Sequence, residues 1–350
     1  MVDRVISADS HMLVLDEDVL ERLDPRHHDS YRGLAGAHRR PGVTRADTGP
    51  LPDNEVAAGR PGEWDPRHRL ADMDVDGVDA EVIYVDPTGG AAFYRLDPEA
   101  GLAVLRAVND AALSFAAEDP SRLLPVYLLP VHQVEAAVAE LRRIVGQGAK
   151  AVQVPLYPAD AGLPAYHDPV YEPLWSALEE TGVPLSLHVC PPAGRSLGRD
   201  PTPARAIFQV MPPIMMAQPL TELIVTGTFV RHPALRVVMV ESGLSWIPYL
   251  LDRLDRVAVK SAWKERGMTL EEPPSFYWRR NMAATFEEDE LGLELRHRIG
   301  VDNMLWASDY PHPDSTWPHS RKVIADQFNG CTAEEVRSLV CGNATRLYGL

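Results

Sequence analysis

Short apolar runs alternate with longer amphipathic segments along the chain. The runs are Val5–Ala8, Ala80–Val85, Leu123–Leu129, Ala149–Val154, Pro184–Leu187, Leu235–Val240, Asn281–Thr285 and Asn303–Ala307. Each is four to seven residues long, the length of a parallel strand buried on both faces. Between them, apolar residues recur at helical spacing. Leu102, Leu105, Ala112 and Phe115 make one stripe, and Val134, Val138, Leu141 and Val145 a second that stops at Gly146. Tyr171, Leu174, Trp175 and Leu178 make a third, closed by Thr181-Gly182, and Trp246, Leu250, Leu254 and Val257 a fourth. Eight such alternations predict an α/β fold, a distorted (β/α)8 barrel with helices outside. An open doubly wound sheet would need a glycine-rich phosphate turn after an early strand. Gly89-Gly90 lacks the further glycine at the right offset.

A plain barrel takes roughly 250 residues, and the chain has 350. The surplus is assigned to insertions at about 25–66, 189–215 and 260–280 within one barrel domain, on the face where barrel active sites are built. With 50 acidic against 34 basic residues the net charge is −16, which disfavours nucleic acid and anionic membranes as partners. No run of about 18 apolar residues predicts a membrane span. Three cysteines, 190, 331 and 341, make no disulfide framework, and a cytoplasmic setting is expected.

The residues at the predicted strand ends bear the chemistry. Asp9-Ser-His11 closes the first strand, His188 the fifth, Glu241 the sixth and Asp309 the eighth, with His312 just beyond. Imidazoles and carboxylates gathered at one mouth are the donors of a divalent metal site, and buried acids are costly together without a cation. The separations of 177, 53 and 68 residues mean that only barrel closure assembles the group. Each residue also has a plainer role open to it, as a helix cap for the aspartates or a satisfied loop residue for the histidines.

At these positions the chain resembles the amidohydrolase-related (amidohydrolase 2) family, which includes aminocarboxymuconate-semialdehyde decarboxylase. The resembling stretches are Ile6-Ser-Ala-Asp-Ser-His11, Leu70-Ala-Asp-Met-Asp-Val-Asp-Gly-Val78, Pro184-Leu-Ser-Leu-His188, Arg231–Gly243, Trp306-Ala-Ser-Asp-Tyr-Pro-His312 and Gly342–Gly349. The resemblance implies one catalytic divalent metal, a small-molecule substrate and a homodimer. It carries the metal ligands onto Asp9, His11, His188 and Asp309. The metal is expected to be zinc, with manganese or iron as alternatives. Two positions depart from the pattern: Asp9 stands where many members have histidine, and Glu241 where many have an acid–base histidine.

Two chemistries follow. In the first, metal-activated water attacks a C–N or C–O bond, with Asp309 or Glu241 as base and His312 as proton donor. In the second, the same mouth decarboxylates a small aromatic or unsaturated acid, and a carboxylic acid, Glu241, protonates the carbon. The expectation places hydrolysis ahead. A barrel that binds without turnover is third. Arg195 and Arg199 are candidates to clamp a substrate carboxylate, and Trp246 to wall the pocket.

Overall fold

The computed structural model describes residues 3–34, 59–85, 90–190, 207, 210–260 and 270–350. Eight parallel strands follow one another in chain order: β1 (Ile6–His11), β2 (Ala80–Tyr84), β3 (Leu123–Leu128), β4 (Ala151–Gln153), β5 (Leu185–His188), β6 (Val237–Val240), β7 (Met282–Phe286) and β8 (Met304–Trp306). Each pairs with the next. A parallel bridge from Ser10 to Tyr310 brings the exit of β8 back to β1, and the Asp309 N–H donates to the Asp9 carbonyl at 3.1 Å. The result is a nearly closed (β/α)8 barrel.

Side chains along each strand divide alternately between two cores, as the pleat requires. Ala80, Val82, Tyr84, Val126, Val238 and Val240 fill the barrel interior. Ile83, Tyr127, Val237 and Met239 face the surrounding helices. One strand breaks this rhythm, with consequences for the site. On β1, Ser7 pairs with Glu81 but Ser10 pairs with Ile83, so β1 holds one extra residue. Before this bulge the even residues Ile6 and Ala8 point inward. After it the parity flips, and His11, the register partner of Tyr84, shares the interior face. The metal-type residues of the first motif owe their inward aim to that irregularity.

The helices lie where the stripes place them: Pro98–Ala116, Val134–Val145, Glu172–Thr181 and Ile247–Ala258. Gly182 ends the third in the left-handed region at φ 69°, a conformation that costs a glycine nothing. The Asp72/Asp74/Asp76 segment is also helical, Pro66–Asp76, started by Asp65, whose side chain accepts from the N–H groups of Arg67 and His68.

Helix Pro66–Asp76 braces the back of β1. Arg69 is fully buried; it donates to the His11 carbonyl at 2.8 Å, to Ser10 Oγ at 2.9 Å and to Glu81. Asp72 takes Arg60 at 2.7 Å and the Tyr310 hydroxyl at 2.6 Å. Asp76 takes the Ser320 N–H at 2.8 Å. Segments flanking both metal-type motifs are thereby pinned to one helix. No helix among the described residues is long and apolar enough to cross a membrane.

Candidate active site

Asp9 and His11 from β1, His188 from the end of β5, Glu241 just after β6, and Asp309 and His312 after β8 converge on the C-terminal mouth. One ligand atom from each of Asp9, His11, His188 and Glu241 can be chosen so that all lie within 4.8 Å of one another, and the same holds for His11, Glu241, Asp309 and His312. His11 Nε2 stands 3.1 Å from Asp309 Oδ1 and 3.6 Å from Asp9 Oδ1. His188 Nε2 stands 3.7 Å from Asp9 Oδ1 and 3.5 Å from Glu241 Oε2. His312 Nδ1 meets Asp309 Oδ1 at 2.8 Å.

Backbone geometry sets two of these carboxylates apart. Among the described residues, Glu241 (φ 53°) and Asp309 (φ 55°) are the only non-glycine positions with positive φ. Such a conformation costs a residue with a Cβ on the order of 1–3 kcal/mol and persists where the surroundings enforce it. Here it turns the chain sharply as it leaves the barrel wall, and the turn delivers both carboxylates to the mouth. The Glu241 N–H is held by Thr285 Oγ1 at 2.7 Å.

The donor set fits a divalent cation. His188 Nδ1 lies 2.8 Å from the Val189 carbonyl, so Nδ1 carries the hydrogen and Nε2 presents its lone pair to the mouth. Among the described residues, neither carboxylate oxygen of Asp9 nor His188 Nε2 has a hydrogen-bond partner, although all three atoms are buried. Unsatisfied buried oxygens and a lone-pair nitrogen, facing one another, are what a metal would satisfy.

Proton affinities sort the groups further. Burial, reinforced by the charge of Asp309, raises the carboxyl of Asp9 well above its ordinary range. Glu241 is likewise raised, by desolvation first and then by Asp309, although its side chain is 32% exposed at the rim. Burial would also raise Asp309, but hydrogen bonds from His11 and His312 outweigh it and hold Asp309 below the usual carboxylate range. His11 is pushed down to about 3, by burial and then by the charge of His312, and His188 is lowered chiefly by burial. Two neutral imidazoles beside an ionised aspartate are ligands in waiting.

One acid at this mouth escaped the sequence. Glu287 directly follows β7, its Oε1 is buried without a partner among the described residues, and burial and the charge of Asp309 raise its carboxyl well above the ordinary range. The sequence pattern ends the seventh strand at Thr285, whereas β7 runs to Phe286. With the strand end placed one residue further on, at Phe286, Glu287 would have joined the group as the residue that follows it. Trp246 donates its indole N–H to the Ser242 carbonyl at 2.7 Å and packs against the main core. Arg195 and Arg199 lie outside the described residues.

The family model for amidohydrolases (Amidohydro_2) matches residues 8–350. The chain belongs to that amidohydrolase family. This amidohydrolase-family enzyme is 25% identical over 319 residues to gamma-resorcylate decarboxylase of Rhizobium radiobacter, covering 81% of this chain and 89% of the relative. It is 24% identical over 291 residues to 2-amino-3-carboxymuconate-6-semialdehyde decarboxylase of Dictyostelium discoideum, covering 82% and 77%. Its barrel is similar to that of 5-carboxyvanillate decarboxylase from Novosphingobium aromaticivorans, with a TM-score of 0.75, 19% identity and coverage of 99% and 97%; that structure holds manganese and 3-methoxy-4-hydroxy-5-nitrobenzoic acid.

These names overturn one expectation. The sequence reading places hydrolysis first, yet the curated relatives are decarboxylases. Strand-end ligands alone cannot separate the two chemistries, because a metal site at a barrel mouth serves either. The carboxy-lyase reading takes the leading place.

Proposed function

We propose that the protein is a metal-dependent, non-oxidative decarboxylase of a small hydroxylated aromatic or unsaturated acid. The observation that carries this reading is a division of labour among the carboxylates of the candidate metal group: Asp9 and Asp309 are sequestered beside imidazoles, and Glu241 stands at the rim. Asp9 is fully buried and the Asp309 side chain is only 4% exposed. Glu241, at 32%, is open to an arriving substrate.

Decarboxylation without an oxidant breaks a C–C bond and leaves its electron pair on the ring carbon, so a proton must reach that carbon. The overall change is a carboxylate plus one proton giving the parent compound plus carbon dioxide. Glu241 is the group assigned to deliver that proton. Asp9, His11, His188 and Asp309 would hold a divalent ion, which when bound neutralises and orients the substrate carboxylate and its neighbouring hydroxyl. His312, bonded to Asp309 and 40% exposed, is placed to pass protons between the mouth and solvent. Two imidazoles with two carboxylates accept zinc or manganese; the manganese in the structurally similar decarboxylase favours manganese over the zinc expected from sequence.

The test is turnover in D2O. Protein loaded with manganese or with zinc is given 2,6-dihydroxybenzoate, 5-carboxyvanillate and related 2-hydroxybenzoates. The expected result is carbon dioxide release with one deuterium at the vacated ring carbon, and the greater activity with manganese. Metal-loaded protein that releases no carbon dioxide from any of these acids overturns the reading.

A further inference from the structure

At the opposite, N-terminal end of the barrel lies a cavity of about 650 Å³, inside the range of roughly 300–1,000 Å³ typical of small-ligand sites. It sits where β6 and β7 begin, since Val237, Met282 and Ala283 line it. Four arginines, Arg236, Arg279, Arg280 and Arg346, also line it, together with one acid, Asp302.

Their partners are what matter. Among the described residues only Arg346 forms an ion pair, with Asp302 at 2.7 Å. Arg236 donates to the Arg280 carbonyl. Arg280 donates to the Phe229 carbonyl and to Asn281 Oδ1 at 2.9 Å, and its guanidinium lies 5.1 Å from the Phe276 ring centroid. Arg279 reaches only the Arg298 carbonyl, at 3.5 Å. Three guanidinium groups are thus aimed by neutral acceptors, which fix their positions and leave their charges standing. This occurs in a chain whose net charge is −16, where acids to pair with them are plentiful. Like charges gathered around a cavity repel one another, and an anion placed among them relieves the repulsion while using planar forks that suit phosphate oxygens.

We infer that this cavity is a binding site for a phosphate-bearing small molecule, separate from the catalytic mouth. Arg279 is exposed and its one hydrogen bond, to the Arg298 carbonyl, is long at 3.5 Å, so changing it leaves the strand anchors intact. Titration calorimetry of the full-length, metal-loaded protein with inorganic phosphate and with fructose 1,6-bisphosphate tests the site. Saturable binding of one molecule per chain is expected, tighter for the bisphosphate. It should weaken about tenfold in Arg279→Ala, as for one lost charge-assisted contact, and vanish in Arg279→Glu. Asp309→Ala should leave it unchanged. Binding lost in Asp309→Ala but kept in Arg279→Glu would place the anion at the metal mouth and overturn the inference. So would the absence of saturable binding by wild type, or equal binding by wild type and Arg279→Glu.

Discussion

At the scale of single residues, His188 and Glu241 answer different questions about the mouth. His188 is a ligand by construction, since the Val189 carbonyl fixes its tautomer and Nε2 has nowhere else to turn. In His188→Ala the buried oxygens of Asp9 lose their nitrogen co-donor. Elemental analysis should show metal falling from about one equivalent per chain to a small fraction of that, with the far-ultraviolet spectrum unchanged. Retention of the metal would remove His188 from the site. Glu241→Gln keeps shape and removes the transferable proton. It should lower kcat by about 10²–10⁴-fold, the span general acid catalysis contributes, with metal content intact. A variant that loses metal and activity together would make Glu241 a ligand instead of the acid.

At the scale of elements, the fold depends on how helix Pro66–Asp76 meets helix Ser320–Gln327. Their junction is Asp76, whose Oδ1 takes the Ser320 N–H and whose Oδ2 takes its hydroxyl. Burial, only partly offset by those bonds, raises its pKa from 3.8 to about 6. A raised carboxyl favours the folded state while protonated, so its contribution is full below pH 3.8 and is lost as pH rises through 6. Above that, the helix junction carries a buried charge. Asp76→Asn should gain on wild type between pH 4 and pH 7 by up to about 3 kcal/mol in urea unfolding, and a pH-independent difference would refute this account. The elements themselves were legible: all eight strands overlap the apolar runs, because strands buried on both faces leave no polar alternation to confuse with solvent-facing ones. The junction was not. Asp72 and Asp76 share one helix, but their partners Tyr310 and Ser320 lie 238 and 244 residues away in the chain.

At the scale of the whole molecule, closure of the barrel makes the site. His11, His188, Glu241 and Asp309 are legible because each marks where a strand ends. The bulge in β1 and the reach of Glu287 are not legible, since each turns on a shift of a single residue. The arginine cavity is hidden for a related reason: its meaning lies in which arginines lack a carboxylate, and no spacing along the chain encodes that. Closure also gathers Asp9, Glu241 and Glu287, whose carboxyls burial and mutual repulsion raise, around the ionised Asp309. Each raised carboxyl costs the folded state more as pH rises. A dication reverses that balance, because it binds the ionised forms and does so more tightly at higher pH. Metal present at about a thousand times its Kd should stabilise the fold by about 4 kcal/mol. Differential scanning calorimetry of chelated and manganese-loaded protein should therefore show a gap in Tm that widens from pH 6 to pH 8. In Asp9→Asn, which removes one of the repelling acids and one ligand together, the chelated form should melt higher than chelated wild type and gain less on adding manganese. Were manganese and zinc both to leave Tm unmoved in wild type, the acids at the mouth would have to be held by some other means, and the metal-dependent reading would fall with them.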